Sequence, residues 1–271
     1  MLKLKHKTLW PLLLSSLSWA STYPSSSLRI VIDPGHGGSD FGTVYNGGAQ
    51  ILSEKEITLL LAKETAEQLR IGGEDVILTR TSDVEVPLSV RTSLANKLHA
   101  DVFLSIHMNS TRPRRQNTAE GFETYILNNT TDASSKRLAH LENKILSPQT
   151  EDSPPLDVAL ILKDLRLDAN LSESKRLACS LQSHLLNSVT HFKRPKNRGV
   201  KQALFHVLLG ADMPSVLVEA GFLNSAKDRS LVLSREGRRS IGRAIAQAVH
   251  YFKIKKNTPR SLLELSSCKI N

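Results

Sequence analysis

Strand-like and helix-like runs alternate along this chain, and that alternation restricts its fold more than any other feature. Residues 28–33 form a short apolar, β-branched run that ends in a glycine turn, and residues 54–71 carry Ile57, Leu60, Leu61 and Leu69 at helical spacing until Gly72-Gly73 stops them. A strand at 75–81, a helix at 87–98 and strands at 101–107 and 120–127 follow. The rhythm then breaks: residues 134–146 and 156–167 look helical and are separated by Pro154-Pro155. Beyond them come a helix at 172–189, strands at 203–209 and 215–219, and a helix at 235–252. The pattern predicts an α/β single domain, a mostly parallel twisted sheet with helices on both faces, and a helical insertion over residues 130–172. A length of 271 residues suits one domain with a full core.

The first twenty residues read differently. Lys3, Lys5 and Lys7 precede an apolar stretch from 9 to 19, and Ser18-Trp19-Ala20 offers small residues at a cleavage position. We read residues 1–20 as a secretory signal peptide that sends the chain through an inner membrane to the periplasm; a retained anchor is the competing reading, although the stretch is short for a span. No uncharged apolar run of about 18 residues follows. Export permits disulfides, yet Cys179 and Cys268 are the only cysteines. Their pairing stays open at this level, with Cys179 on a helical pattern where a small core residue fits and Cys268 in the basic, polar tail of residues 253–271.

The formal charge of +10 falls to +7 once the three signal lysines are set aside. Lys193, Arg194, Lys196 and Arg198 form one basic cluster, and residues 253–260 form another. Neither has interleaved aromatics for base stacking, so no nucleic-acid partner is expected. Peripheral contact with an anionic envelope surface fits the charge, as does a merely solvated basic face.

In an α/β sheet, functional groups collect where strands finish. Here the first strand runs into Asp33-Pro34-Gly35-His36-Gly37-Gly38, the third into His107-Met108-Asn109, and the last into Glu219-Ala220-Gly221. His36 lies between glycines, which let the backbone turn sharply and the imidazole project. Glu54 opens a helix, where an ordinary first-turn charge is an equally plain account and Glu56 competes with it. Together, two histidines and a glutamate supply the donors of a catalytic zinc with a position left for water, and a further glutamate could serve as base. The spacing alone does not prove such a site.

These residues resemble a known family. Asp33 to Gly38, Glu54-Lys55, Leu78-Thr79-Arg80, Ser105 to Asn109, Gly121-Phe122-Glu123-Thr124-Tyr125, Arg198-Gly199-Val200-Lys201-Gln202-Ala203 and Val218 to Leu223 occur in the order found in zinc-dependent N-acetylmuramoyl-L-alanine amidases of the type that separates daughter cells, across residues 28–252. The resemblance implies Zn2+ held by His36, Glu54 and His107, with Glu219 as the catalytic carboxylate. It implies peptidoglycan as substrate and cell-wall remodelling in division as the role. Asn109 is expected beside the metal and Arg80 at a substrate carboxylate, with a structural ion pair as the other reading of Arg80. Asp33 is expected either to orient an imidazole or to stabilise its turn. The insertion resembles a segment that covers the zinc until an activator protein binds. Its helix at 156–167 and the carboxylates of Glu151, Asp152, Asp157 and Asp164 are the candidates to cap the ion; surface decoration is the alternative.

Two further functions stay open. Ser172-Glu173-Ser174-Lys175 is a Ser-x-x-Lys, the spacing of a serine nucleophile and its lysine in penicillin-sensitive D,D-carboxypeptidases, although no Ser-x-Asn or Lys-Thr-Gly accompanies it and Ser172 also reads as an N-cap. A non-catalytic peptidoglycan-binding protein would keep the fold, but would more naturally lose one of the four residues His36, Glu54, His107 and Glu219.

Overall fold

The computed structural model describes residues 27–48, 51–110, 119–143, 164–188, 195–256, 268 and 270. The strands and helices, in chain order, are β1 (Arg29–Pro34), β2 (Val44–Asn46), β3 (Ile51–Ser53), α1 (Glu54–Ile71), β4 (Asp75–Leu78), α2 (Leu88–Lys97), β5 (Val102–Asn109), β6 (Phe122–Leu127), α3 (Ala133–Glu142), α4 (Asp164–Ser188), β7 (Asn197–Ala203), β8 (Ser215–Phe222), α5 (Ala226–Leu233) and α6 (Arg235–Lys256). Six strands form one sheet in the order β4-β1-β5-β8-β6-β7. The first four run parallel, β6 is antiparallel to β8, and β7 is parallel to β6.

Strands covered on both faces need apolar side chains at successive positions, and Ile30, Val31 and Ile32 of β1 are all fully buried. Ile30 and Ile32 face a core shared with Leu61 of α1, Leu177 of α4, Val232 of α5 and Ile245 of α6. Val31 faces the other side, with Ala95 of α2 and Leu138 of α3. The helices therefore lie on both faces. Helix α6 shows why such segments dock: Ile241, Ala244, Ile245, Ala248, Val249 and Phe252 recur on one side and are all buried. Among the described residues no helix is long and apolar enough to cross a membrane.

Helix α1 begins where Ser53 and Glu56 form a capping box: the Glu56 carboxylate accepts from the Ser53 backbone N–H at 3.3 Å and from its hydroxyl at 2.8 Å. That removes Glu56 from competition with Glu54. One expectation is corrected here. The strand expected at 203–209 ends at Ala203, and its apolar residues Val207 and Leu208 pack as a single 3-10 turn, His206–Leu208. The strand itself is Asn197–Ala203, whose charged side chains disguised it. The loop before Glu54 contains an antiparallel hairpin, β2 with β3, that periodicity over three residues could not reveal.

Cys179 of α4 and Cys268 form a disulfide, so Cys179 is a paired residue rather than a free one in the core. Nearby, Ile270 makes a parallel bridge with Val200 of β7, which fastens the end of the chain to the sheet edge. The proposed signal, residues 1–20, and most of the 156–167 helix lie outside the described residues.

Candidate metal centre

The sheet register sets the site. His107 of β5 pairs with Glu219 of β8, and Glu219 pairs with Glu123 of β6, so three titratable side chains stand in a row across three strands. His36 follows β1, the neighbour of β5 on its other side. Its φ of +62° is a left-handed conformation seldom adopted by residues other than glycine, held here by a tight turn in which Gly37 and Asp40 exchange backbone hydrogen bonds of 3.0 and 3.1 Å. The turn delivers Asp40, whose carboxylate meets His36 Nδ1 at 2.7 Å and leaves Nε2 facing inward.

Nε2 of His36 lies 3.0 Å from Glu54 Oε1 and 3.2 Å from Glu142 Oε2. Nδ1 of His107 lies 3.1 Å and 3.0 Å from the same two oxygens. All four donor atoms fall within 4.8 Å of one another, and all four residues are buried. Among the described residues His36 Nε2 and Glu142 Oε2 have no hydrogen-bond partner, a costly condition for buried polar atoms unless something else joins them. Donors about 2.0–2.1 Å from a tetrahedral ion stand about 3.3 Å apart, close to these separations. The residues fit a divalent metal ion.

Backbone geometry reserves this space. Glu54 is oriented by N–H donation from Met108 to Oε1 at 2.9 Å and from Thr43 to Oε2 at 2.8 Å. A Cβ on Gly35 would come within 2.5 Å of the His107 ring, and one on Gly42 within 2.6 Å of His36 Cδ2. Only glycine at these positions leaves room for both imidazoles.

Burial alone would depress His36, but the Glu54 charge, with the hydrogen bond to Asp40 and the adjoining Glu142 carboxylate, raises its pKa well above the usual imidazole value. His107 is likewise opposed by burial, yet the Glu142 carboxylate raises it to about 9. Burial would raise Glu54, and the two histidines instead hold it well below the carboxylate range. Glu219 is the exception. It is fully buried, neither oxygen has a partner among the described residues, and burial followed by the charges of Glu142, Glu54 and Glu123 pushes it well above the ordinary value.

The structure thus brings together His36, Glu54, His107 and Glu219, and adds Glu142, which ends a helix within the expected insertion. Glu151, Asp152 and Asp157 lie outside the described residues. Asn109 is buried beside the row and donates to Glu123 Oε2 at 3.0 Å. Arg80 has no opening toward a substrate: it is buried, and its guanidinium donates to the backbone carbonyls of Pro34, Gly35, Lys55 and Ser82, bracing the loop around His36. Asp33 orients no imidazole; it accepts from Thr79, Arg91 and Ser105 at 2.6, 2.8 and 2.9 Å. Asp40 holds the imidazole instead, and its position four residues after His36 in a glycine-rich turn was the available signal.

Ser172 and Lys175 are corrected as well. They lie inside α4, which starts at Asp164, so Ser172 caps no helix. The neighbouring Ser174 accepts from the backbone N–H of Ser215 at the start of β8, four residues before Glu219 on a strand that rises about 3.3 Å per residue. The motif therefore sits at the far end of the sheet from the metal ligands.

A family model for N-acetylmuramoyl-L-alanine amidases matches residues 30–251, nearly all of the sheet and its helices. The chain belongs to this family. AmiC of Neisseria meningitidis is 35% identical over 229 residues, covering 82% of this chain and 52% of the relative. AmiA of Escherichia coli is 32% identical over 234 residues, covering 84% of this chain and 78% of the relative. The chain thus spans about half of one curated amidase and about four-fifths of the other. Among solved structures, an N-acetylmuramoyl-L-alanine amidase from Clostridium difficile 630 superposes with a TM-score of 0.63 at 28% identity, over 85% of this chain and 99% of that one. The amidase AmiC2 of Nostoc punctiforme gives 0.61 at 29%, over 84% and 98%.

Proposed function

We propose that this amidase hydrolyses, with zinc, the amide bond between N-acetylmuramic acid and L-alanine in peptidoglycan, in the periplasm and during cell-wall remodelling at division. The observation that carries the reading is Glu219: a buried carboxylate with no partner among the described residues, one strand from His107. His36, Glu54 and His107 would hold the ion from three elements. A bound zinc supplies Lewis acidity, polarising the scissile carbonyl and making a water acidic near neutral pH. Glu219 would take the proton of an attacking water and return it to the departing nitrogen of L-alanine. Its lack of hydrogen bonds leaves both oxygens free for the transfer, and its burial keeps bulk water from competing.

Glu142 supports an internally restrained state. It fills the fourth donor position, which a reacting water needs, and it comes from a helix of the 130–172 insertion rather than from the sheet. Withdrawal of α3 by an activator protein of the division machinery would open that position. The positive start and apolar stretch of residues 1–20 are the basis for export, and the net positive charge suits an anionic envelope surface.

The test is zinc content and muropeptide release on the mature chain, comparing wild type with Glu219→Ala and adding a chelator. Release of free stem peptides that disappears with the substitution and with chelation is expected. Release that persists under both would overturn the reading.

A further inference from the structure

The row of side chains across the sheet continues past Glu219. Glu123 stands next to it in register, 2% exposed, and unlike Glu219 it is saturated. Its Oε2 accepts from Tyr125 Oη at 2.6 Å and Asn109 Nδ2 at 3.0 Å; its Oε1 accepts from Lys201 Nζ at 3.1 Å and from Arg198 Nε. Both cations belong to β7, the strand beyond β6. One carboxylate facing two cations leaves one positive charge in excess. The Asp132 carboxylate, which feels the Lys201 charge, is engaged by Ser134 and Ser135.

Neither cation is fully enclosed, with side-chain exposures of 27% for Arg198 and 13% for Lys201. Arg198 lies over the Phe222 ring, 4.9 Å from its centroid, and engages Glu123 through Nε, so among the described residues its two Nη groups have no acceptor. A planar fork held by a ring on one face and an ion pair on one edge is prepared to take a carboxylate on the other edge.

From these relations we infer that Arg198 and Lys201 form a subsite for a carboxylate of the stem peptide, so that the departing peptide lies over β6 and β7 and the glycan on the opposite side of the metal centre. The inference rests on the proposed amidase reaction and gives it a direction. Glu219 hands its proton to the departing nitrogen, so the peptide leaves on the Glu219 side of the metal, toward β6 and β7. The lactyl carboxyl of the sugar is consumed in the scissile amide, so free carboxylates remain only on the peptide. Two strand spacings from β8 to β7 are about 10 Å, and an extended peptide advances about 3.3–3.6 Å per residue. A carboxylate on the second or third peptide residue therefore reaches the pair.

The test measures binding of product peptides to the zinc-loaded full chain by calorimetry, using an L-alanyl peptide with a free α-carboxylate on its second residue and the same peptide amidated there. The acid is expected to bind about tenfold more tightly, the size of one charge-assisted hydrogen bond. Arg198→Gln and Lys201→Gln should each bring the acid toward the amide while leaving the amide unchanged, and Arg198→Lys should restore part of the contrast. Equal affinity of acid and amide for the wild-type chain, including none for either, overturns the inference. So does a substitution that weakens both peptides alike. The wild-type contrast decides even where a variant fails to fold. A chain that binds the acid selectively but cleaves no muropeptide even as the zinc-loaded Glu142→Ala variant would refute the amidase reading and leave the subsite standing.

Discussion

Glu219 and Glu123 face each other across the β8–β6 ladder, yet among the described residues Glu123 has four donors and Glu219 has none. The difference separates a group that holds the wall from one that is free to move a proton, and substitutions should divide accordingly. Glu219→Gln is expected to lower kcat by about 10²–10⁴-fold with metal content and melting temperature retained. Glu123→Gln strands two cations in a partly buried wall and should instead destabilise the fold by about 3 kcal/mol. Steady-state kinetics beside thermal unfolding distinguishes them.

Glu142 approaches the centre from α3, outside the sheet. If it holds the closed state, Glu142→Ala should raise basal turnover, by about tenfold for each 1.4 kcal/mol that its contact contributes to closure. Zinc should stay bound through the other three residues. Unchanged or lower turnover in a zinc-loaded variant would remove the restraining role.

The two imidazoles give a pH dependence of metal binding. Both are raised above the ordinary value of 6.5, His107 to about 9, so the metal-free site carries protons at pH 7 that a metal must displace. Apparent zinc affinity should therefore rise as pH rises from 6 to 9, since each imidazole must give up its proton to bind the ion. Calorimetry in buffers of different ionisation enthalpy should show proton release at pH 7; an affinity flat between pH 6 and 9 would contradict it.

Gly42 has φ +61°, and an added Cβ would come 2.7 Å from His36 Nε2, the atom that would bind the metal. Gly42→Ala should lower zinc affinity by about 10–100-fold, the usual effect of displacing a group that orients a ligand. Competition with a chromogenic chelator reads this directly.

The disulfide spans a sequence separation of 89 residues. In the chain-entropy account, a loop of that length stabilises the folded state by about 4.5 kcal/mol. Reduction, or Cys268→Ser, should lower the melting temperature by about 10 °C, and loss of the bridge with no change in melting would show that the native state already carries compensating strain.

Sequence patterning located most of the sheet because its central strands are continuous apolar runs whose last residues are the chemistry: Asp33 before His36, Ile106 before His107, Val218 before Glu219. It placed α1 at its observed ends because Ile57, Leu60, Leu61 and Leu69 keep helical spacing until Gly72-Gly73 stops them. What escaped has a common cause. β7 carries its charges toward Glu123, so an edge strand full of ionic partners did not look apolar enough to be a strand. Glu142 is an unremarkable helical glutamate until α3 is docked, and no local spacing marks it. Arg80 shows the converse: a lone arginine invites a substrate role, and only the carbonyls gathered around it reveal that it braces a loop.

The bridge between Cys179 and Cys268 also divides the active centre covalently. Glu219, Arg198 and Lys201 lie within the segment it closes, while His36, Glu54, His107 and Glu142 lie ahead of it. A single cut in the backbone anywhere between the two cysteines leaves every part of the acid–base half tethered to the rest. One cut between His36 and Cys179 breaks the covalent path from His36 to Glu219. Limited proteolysis therefore affects the two halves unequally: a nick between the cysteines only opens a ring, whereas a nick between His36 and Cys179 leaves His36 joined to Glu219 by packing alone.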